Sequence, residues 1–372
     1  MNVALVYDRV NKIGGAEQVL LTLHEIWPEA PLYTAVYNPQ TTSWADCFRV
    51  IPSFINRLPL AKTHHELYPW LTPIAFESFS FDQFDLIISV TSTEAKGIIT
   101  KPSTKHICYC LTPTRYLWSA SIEYRQQPGF GKLNTLAAKL FSFTAPKLRI
   151  WDRVASTRAD KYIAISRTVA SRIRKYYGID AAVIYPPIDT DIFTYKKDEK
   201  VDDYYLTVSR LVPYKRVDLL IRAFNQLGWN LTIVGKGTEE KYLRSIAASN
   251  ISFVSDLTQA QLVRYYRRSR AFVSACNEDF GIVSLESQAC GRPVVAFGEG
   301  GFSETVVPKV TGTFFYQQDK DAIIKCLTQF DYKIYSPFMC RRNALRYNKS
   351  RFSKQFSDFV KNSLNGSNIE KK

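Results

Sequence analysis

Short apolar runs that read as buried strands alternate with stretches of helical periodicity along most of the chain, which restricts the fold to an open α/β type with mostly parallel sheets. Val3 to Tyr7 is the first such strand; a Gly14-Gly15 turn follows, then a helical pattern through Ala16, Val19, Leu20, Leu23 and Ile26. Further strands are expected at Leu86 to Val90, His106 to Tyr109 and Tyr162 to Ile165. After Pro186-Pro187 the pattern stops, and alternating acids with Lys196 to Lys200 read as an exposed connection. It resumes with strands at Tyr205 to Val208, Leu231 to Val234, Ile251 to Val254, Ala271 to Ser274 and Val294 to Phe297, and with helices at Leu219 to Leu227, Tyr242 to Ala247 and Leu262 to Tyr266. A length of 372 residues suits two domains. The expected division is a domain over 1–188, a linker over 189–202, a second domain over 203–350, and a C-terminal helix with polar tail over 351–372 that packs on either domain.

A net charge of +15 and an isoelectric point near 9.4 call for an anionic partner, which a nucleic acid, an acidic leaflet or a phosphorylated small substrate would each satisfy. Basic residues gather at Arg172 to Lys175, Arg264 to Arg270 and Arg341 to Arg346, and solvated helix faces explain such clusters equally well. No RNA-binding motif accompanies the charge, so nucleic acid is not expected as a partner. The seven cysteines, scattered from Cys47 to Cys340, form neither a disulfide framework nor a metal-finger spacing and suit a reducing cytoplasm. The start lacks a basic segment ahead of its apolar run, and no window reaches about 18 uninterrupted apolar residues. A chain neither exported nor membrane-spanning is expected.

Chemistry concentrates in Asn277-Glu278-Asp279-Phe280-Gly281-Ile282-Val283-Ser284-Leu285-Glu286, after the strand ending at Ser274. Gly281 breaks the loop and a helix starts near Ile282, so Glu278 lies on the loop and Glu286 in an early helical turn. Both carboxylates can then face the crevice where open α/β sheets bind ligands, each able to accept hydrogen bonds from neighbouring sugar hydroxyls. The plainer reading is that they complement the helix dipole. In Ser209-Arg210-Leu211-Val212-Pro213-Tyr214-Lys215-Arg216, Arg210 and Lys215 bracket a strand-to-helix turn. A guanidinium and an ammonium beside helix amides suit a diphosphate; solvated loop cations are the alternative. Gly235-Lys236-Gly237 and Gly298 to Gly301 are turns whose glycines permit close approach of backbone to phosphate, although tight turns alone would account for them.

Together with Gly14-Gly15-Ala16-Glu17, Cys108 to Arg115 followed by Tyr116-Leu117-Trp118, Ile163 to Ser166 and Tyr185-Pro186-Pro187-Ile188-Asp189, these segments make nearly the whole chain resemble family 4 of the retaining glycosyltransferases, and the bacterial polysaccharide and O-antigen mannosyltransferases within it. The resemblance implies the GT-B architecture, two facing Rossmann-like domains with an interdomain cleft. It further implies that Arg210 and Lys215 hold a donor diphosphate, Glu286 the ribose, and Glu278 with Phe280 and Gly281 the transferred sugar. Ile282 and Val283 belong to the same donor site, Val254 borders the base, and Gly15 approaches the phosphates from the other domain. Glu278, Arg210 and Lys215 would carry catalysis, and Thr112, Arg115 and Tyr116 lie on the acceptor side. Many relatives have histidine where this chain has Leu111, and His106, five residues upstream, is either its substitute or structural.

By the same resemblance the reaction retains anomeric configuration, the acceptor attacking from the face that the diphosphate leaves, through an oxocarbenium-like transition state. No Asp-x-Asp motif stands where a cation would bind, so Arg210 and Lys215 are expected to replace a metal and no cofactor is expected. The implied donor is a nucleotide-sugar, GDP-mannose favoured, and the implied acceptor a lipid-linked saccharide. The stretch Lys132 to Arg153 mixes Leu133, Leu136, Leu140, Phe141, Phe143 and Trp151 with Lys139, Lys147 and Arg149, which suits either an anionic leaflet on the inner face of the plasma membrane or packing on its own domain. A sugar-nucleotide-binding scaffold without turnover is the competing expectation, carried by Leu111. A nicotinamide-dependent enzyme is disfavoured because no G-x-G-x-x-G follows the first strand.

Overall fold

The computed structural model describes residues 1–12, 14–119, 121–122 and 134–365. Two compact units result: Met1–Tyr185 together with the chain from Ser353 onward, and Pro186–Phe352.

The first unit is built on a seven-stranded sheet of order β3-β2-β1-β4-β5-β6-β7, parallel throughout. Its strands are β1 (Val3–Tyr7), β2 (Leu32–Thr34), β3 (Val50–Pro52), β4 (Leu86–Thr91), β5 (Lys105–Cys110), β6 (Lys161–Ala164) and β7 (Ala182–Val183). Every side chain of β4 is buried, as a strand covered on both faces requires. Ala4, Val6 and Ile87 pack against Tyr33, Phe76, Phe81 and Phe84, and each fully buried large side chain contributes about 2 kcal/mol. The strands that the sequence did not announce, β2, β3 and β7, have three, three and two residues, too few for a period to show. The helix Arg167–Tyr177 starts where the Ser166 hydroxyl accepts from the Val169 amide at 3.0 Å and ends at Gly178, whose φ of +74° a side chain would resist.

The second unit carries a six-stranded parallel sheet of order β10-β9-β8-β11-β12-β13. Its strands are β8 (Tyr205–Val208), β9 (Leu231–Val234), β10 (Ile251–Val254), β11 (Phe272–Ser274), β12 (Val294–Phe297) and β13 (Gly312–Phe315). The helix Val217–Leu227 buries Val217, Leu220, Ile221 and Phe224, a spacing of three and four that lays one stripe on the sheet. Strand order reverses between β8 and β11, so the loops leaving those two strands flank the point where such sheets open a crevice.

The stretch expected to be an exposed connection, 189–202, instead packs within the second unit. The Ile188 amide donates to the Tyr347 carbonyl at 2.9 Å, the Arg341 guanidinium donates to the carbonyls of Phe193 and Thr190 at 2.9 and 3.1 Å, and Phe193 is buried with its ring 5.9 Å from that of Tyr266. The Arg341 and Tyr347 anchors lie about 150 residues downstream, outside the reach of a local pattern. The unit boundary accordingly falls at Tyr185 rather than after 188, and the second unit runs to Phe352 rather than 350. The final helix is Lys349–Asn365; from Ser353 on it belongs to the first unit, where Phe356 meets Tyr109 at 5.9 Å and Trp27 at 6.0 Å. Among the described residues no helix is long and apolar enough to cross a membrane.

Candidate active site

The loop after β8 runs from Ser209 through the short turn Pro213–Lys215 to Arg216, whose φ of +52° swings the chain into the helix Val217–Leu227. The loop after β11 ends at Gly281, whose φ of +85° opens the helix Ile282–Ala289. Lys215 and Glu278 join the two loops, the Nζ ammonium donating to Oε1 of the carboxylate. Both side chains are mostly covered, 13% and 16% exposed. Burial is the largest single influence on Lys215 and opposes its charge, but the Glu278 carboxylate, by charge and hydrogen bond, together with Cys276 and Tyr214 more than offsets it and holds the ammonium above its ordinary range. Arg210 is exposed; its Nη2 donates to the Tyr214 hydroxyl at 2.6 Å. The Tyr214 ring lies 6.0 Å from the Arg210 guanidinium and 5.3 Å from the Lys215 ammonium, so one aromatic ring neighbours both cations.

Glu286 stands one helical turn and more beyond Gly281, and its Oε2 accepts from the Tyr266 hydroxyl at 2.7 Å. Burial pushes this carboxyl up to about 7, the phenol hydrogen bond working the other way. The amides of Ile282 and Val283 open the helix, where partial positive charge collects. Phe280 is only 4% exposed, with its ring 5.8 Å from Tyr347, so its side chain belongs to the core and the backbone alone can meet a ligand. Val254 ends the edge strand β10, and its carbonyl accepts from the Gly235 amide at 3.0 Å, on the same end of the sheet as Arg210.

The glycine turns have a nearer cause than phosphate. A Cβ on Gly235 would lie 1.9 Å from the Ser209 carbonyl oxygen, and one on Gly237 would lie 2.1 Å from that of Leu211. At Gly301 it would lie 2.2 Å from Cα of Phe280, while the Gly301 amide donates to the Glu278 carbonyl at 2.7 Å. Backbone meets backbone at these points, which braces the loops carrying Arg210 and Glu278.

In the first unit, Gly15 is exposed ahead of the helix Ala16–Ile26 at an ordinary φ of −82°, and the neighbouring Gly14 amide donates to Glu17 at 2.7 Å. Thr112 is buried, with no hydrogen-bond partner for its hydroxyl among the described residues. The Tyr116 hydroxyl donates to Glu94 at 2.6 Å, and Arg9 pairs with the same carboxylate at 2.8 Å. Arg115 is half-buried on that loop. Leu111 directly follows β5, whereas His106 sits near the strand's start, buried, its Nε2 2.8 Å from the Ser89 hydroxyl and its pKa lowered by burial to about 4. Five strand residues separate the two by about 16 Å, so His106 is structural and does not stand in at Leu111.

Three groups escaped the sequence reading. Asp8, at the end of β1, accepts from the amides of Ser92, Thr93 and Ala95 and from the Thr91 hydroxyl, pinning the loop after β4. Lys96 and Asp152, both nearly inaccessible, pair at 2.6 Å, and Asp152 also accepts from Thr114, Trp118 and Tyr177. Tyr266 is the third. An acid directly after a buried strand was a usable signal for Asp8; the other two are contacts between distant segments with no local trace. Among the described residues no group of three or more His, Cys, Asp or Glu is placed to hold a metal ion.

Two parallel α/β units, the second with charged loops gathered at its strand-order reversal, define a Rossmann-like class of fold. Residues 13–192 match the family described as Glycosyltransferase Family 4, and residues 188–330 match Glycosyl transferases group 1. The chain belongs to the GT-B glycosyltransferases of family 4. A GDP-mannose-dependent alpha-(1-6)-phosphatidylinositol monomannoside mannosyltransferase of Mycolicibacterium smegmatis is 34% identical over 195 residues, 44% of this chain and 51% of that protein. An uncharacterized glycosyltransferase of Methanocaldococcus jannaschii is 27% identical over 220 residues, 57% of this chain and 59% of that one. The chain thus spans about half the length of the curated relatives it matches. Among solved structures, sucrose-phosphate synthase from Thermosynechococcus elongatus aligns with a TM-score of 0.76 at 16% identity, covering 98% of this chain and 100% of that one. HepE of Anabaena, solved with UDP-glucose, aligns with a TM-score of 0.71 at 18% identity over 97% of this chain and 100% of that one. Both likenesses are likenesses of fold.

Proposed function

We propose that this protein transfers a hexose, mannose from GDP-mannose favoured, to a lipid-linked or oligosaccharide acceptor in cell-surface polysaccharide synthesis, with retention and without a metal ion. The observation that carries the reading is the convergence of Arg210, Lys215 and Glu278 from the loops after β8 and β11, with Glu286 on the helix that follows. In this mechanism Arg210 and Lys215 bind the diphosphate and stabilise the charge that grows on it as the glycosidic bond breaks. Glu278 accepts from hydroxyls of the transferred sugar while its charge fixes the Lys215 ammonium, and Glu286 accepts from the ribose. Positioning and charge stabilisation then supply the catalysis, and no carboxylate nucleophile is required. The preference for GDP-mannose draws on the relatives named as GDP-mannose-dependent; HepE, solved with UDP-glucose, is the reason to test both bases.

For the acceptor, support comes from the helix Asn134–Ser156, where Phe143, Ile150 and Val154 are exposed at 72%, 68% and 54% and share a face with Lys147. An apolar stripe edged by Lys139, Lys147 and Arg153 suits an anionic lipid surface, while Ala145, Leu148 and Asp152 pack inward. Lys132 and Leu133 of the expected segment lie outside the described residues. Leu111 keeps a second reading open, a protein that binds donor without turnover. A thermal-shift screen with GDP, UDP, ADP and their sugar conjugates, in chelator, tests the first: one nucleotide should raise the midpoint, and the shift should vanish in Glu286→Ala and Lys215→Ala. No shift with any nucleotide would overturn it, and binding without transfer or hydrolysis would favour the scaffold.

A further inference from the structure

We infer that Tyr266 is a positioning residue for Glu286, holding one carboxylate oxygen so that the other is presented to a nucleotide's ribose; this rests on the donor-site reading above. Tyr266 lies in the helix Gln259–Arg268, is completely inaccessible, and its hydroxyl is 2.7 Å from Oε2 of Glu286. Its ring neighbours those of Phe193 at 5.9 Å and Phe272 at 6.5 Å. Phe193 is itself fixed by the Arg341 guanidinium on its carbonyl, at 2.9 Å. The phenol is thus a donor held in place by ring contacts from β11 and from the 186–202 segment.

Among the described residues Tyr266 donates the one side-chain hydrogen bond that Glu286 accepts, and Oε1 remains available. The other ionisable groups around this helix are engaged elsewhere or neutral. Arg267 donates to Thr194 and pairs with Glu199, Arg292 donates to the Arg267 carbonyl, and Arg341 serves the carbonyls of Thr190, Phe193 and Ala289. Glu278 is paired with Lys215, and burial pushes the Cys290 thiol up to about 12, so it is uncharged. Without a cation of its own, the carboxylate relies on the phenol both for orientation and for its ionised form, in which it can accept from two hydroxyls at once.

The test is nucleotide binding by calorimetry with GDP, UDP and ADP, between about pH 5.5 and 8.5, for the wild type, Tyr266→Phe, Glu286→Gln and the double variant. Wild-type affinity should rise with pH through about 7, as Glu286 ionises. Tyr266→Phe, which keeps the ring, should lose about tenfold at pH 8 and move the midpoint upward. In the Glu286→Gln background the same change should cost less than about twofold. An unmoved midpoint, or an equal loss in both backgrounds, would overturn the inference by making Tyr266 a packing residue. A wild type that binds none of the nucleotides at any pH would remove the donor reading itself, and this inference with it.

Discussion

Replacing either member of the Lys215–Glu278 pair should expose how strongly the two loops of the candidate site are tied. The charges are in contact and mostly covered. At about 3 Å and an effective dielectric near 20, their attraction amounts to about 5 kcal/mol, and desolvation takes back a large part of that. Removing one partner strands the other, so Lys215→Met should destabilise the second unit by about 3 kcal/mol and Glu278→Gln by about 2 kcal/mol. Removing both strands nothing, and the double variant should fall short of the sum by about 2 kcal/mol. The pH must be chosen with the sign in view. Lys215 is raised from 10.5, so its contribution is fully present below that value and is lost only as pH climbs through the higher folded one. Urea unfolding near neutral pH therefore measures the intact pair. Additivity within about 0.5 kcal/mol would refute the reasoning, because a desolvated pair cannot be lost in independent halves.

Glu286→Gln should do the opposite. The carboxyl is raised to about 7 from 4.5, so it favours the fold below the lower value and loses that contribution as pH rises through the upper one. The variant should gain up to about 3 kcal/mol on the wild type between pH 4.5 and 8.5 while binding nucleotide more weakly but measurably; a stability difference independent of pH would count against it. Gly301→Ala places a methyl 2.2 Å from Phe280 Cα, and should cost about 3 kcal/mol in thermal unfolding and weaken nucleotide binding with it; a neutral outcome would mean that the loops give way easily. Asp152→Asn strands the buried Lys96 and should destabilise the first unit by about 4 kcal/mol in urea, leaving the nucleotide-dependent thermal shift in place. The double change Phe143→Ser, Ile150→Ser should reduce sedimentation with anionic vesicles without altering the melting temperature, both side chains being exposed; unchanged sedimentation would refute the membrane-facing stripe.

The alternation of buried runs and amphipathic helices was enough for the α/β class, and the four strands β8, β9, β10 and β12 fall where the apolar runs place them. Fully buried parallel strands need continuous apolar residues, and that requirement is local. The start of a helix at Ile282 was likewise local, because Gly281 takes a backbone angle that other residues resist. Legible too were the charged types at Arg210, Lys215, Glu278 and Glu286. What the chain alone could not express was partnership. Lys215 meets Glu278 across 63 residues, Tyr266 meets Glu286 across 20, and Arg341 ties down Phe193 across 148. The same remoteness turned a polar, proline-led stretch into an apparent linker, and it made glycines that let two backbones touch look like glycines awaiting phosphate. Strand and helix follow from near neighbours, whose side-chain periodicity the sequence carries directly. Ion pairs, the set of a carboxylate and the boundary of a unit depend on which distant segments the sheet order brings together, and only the folded chain decides that.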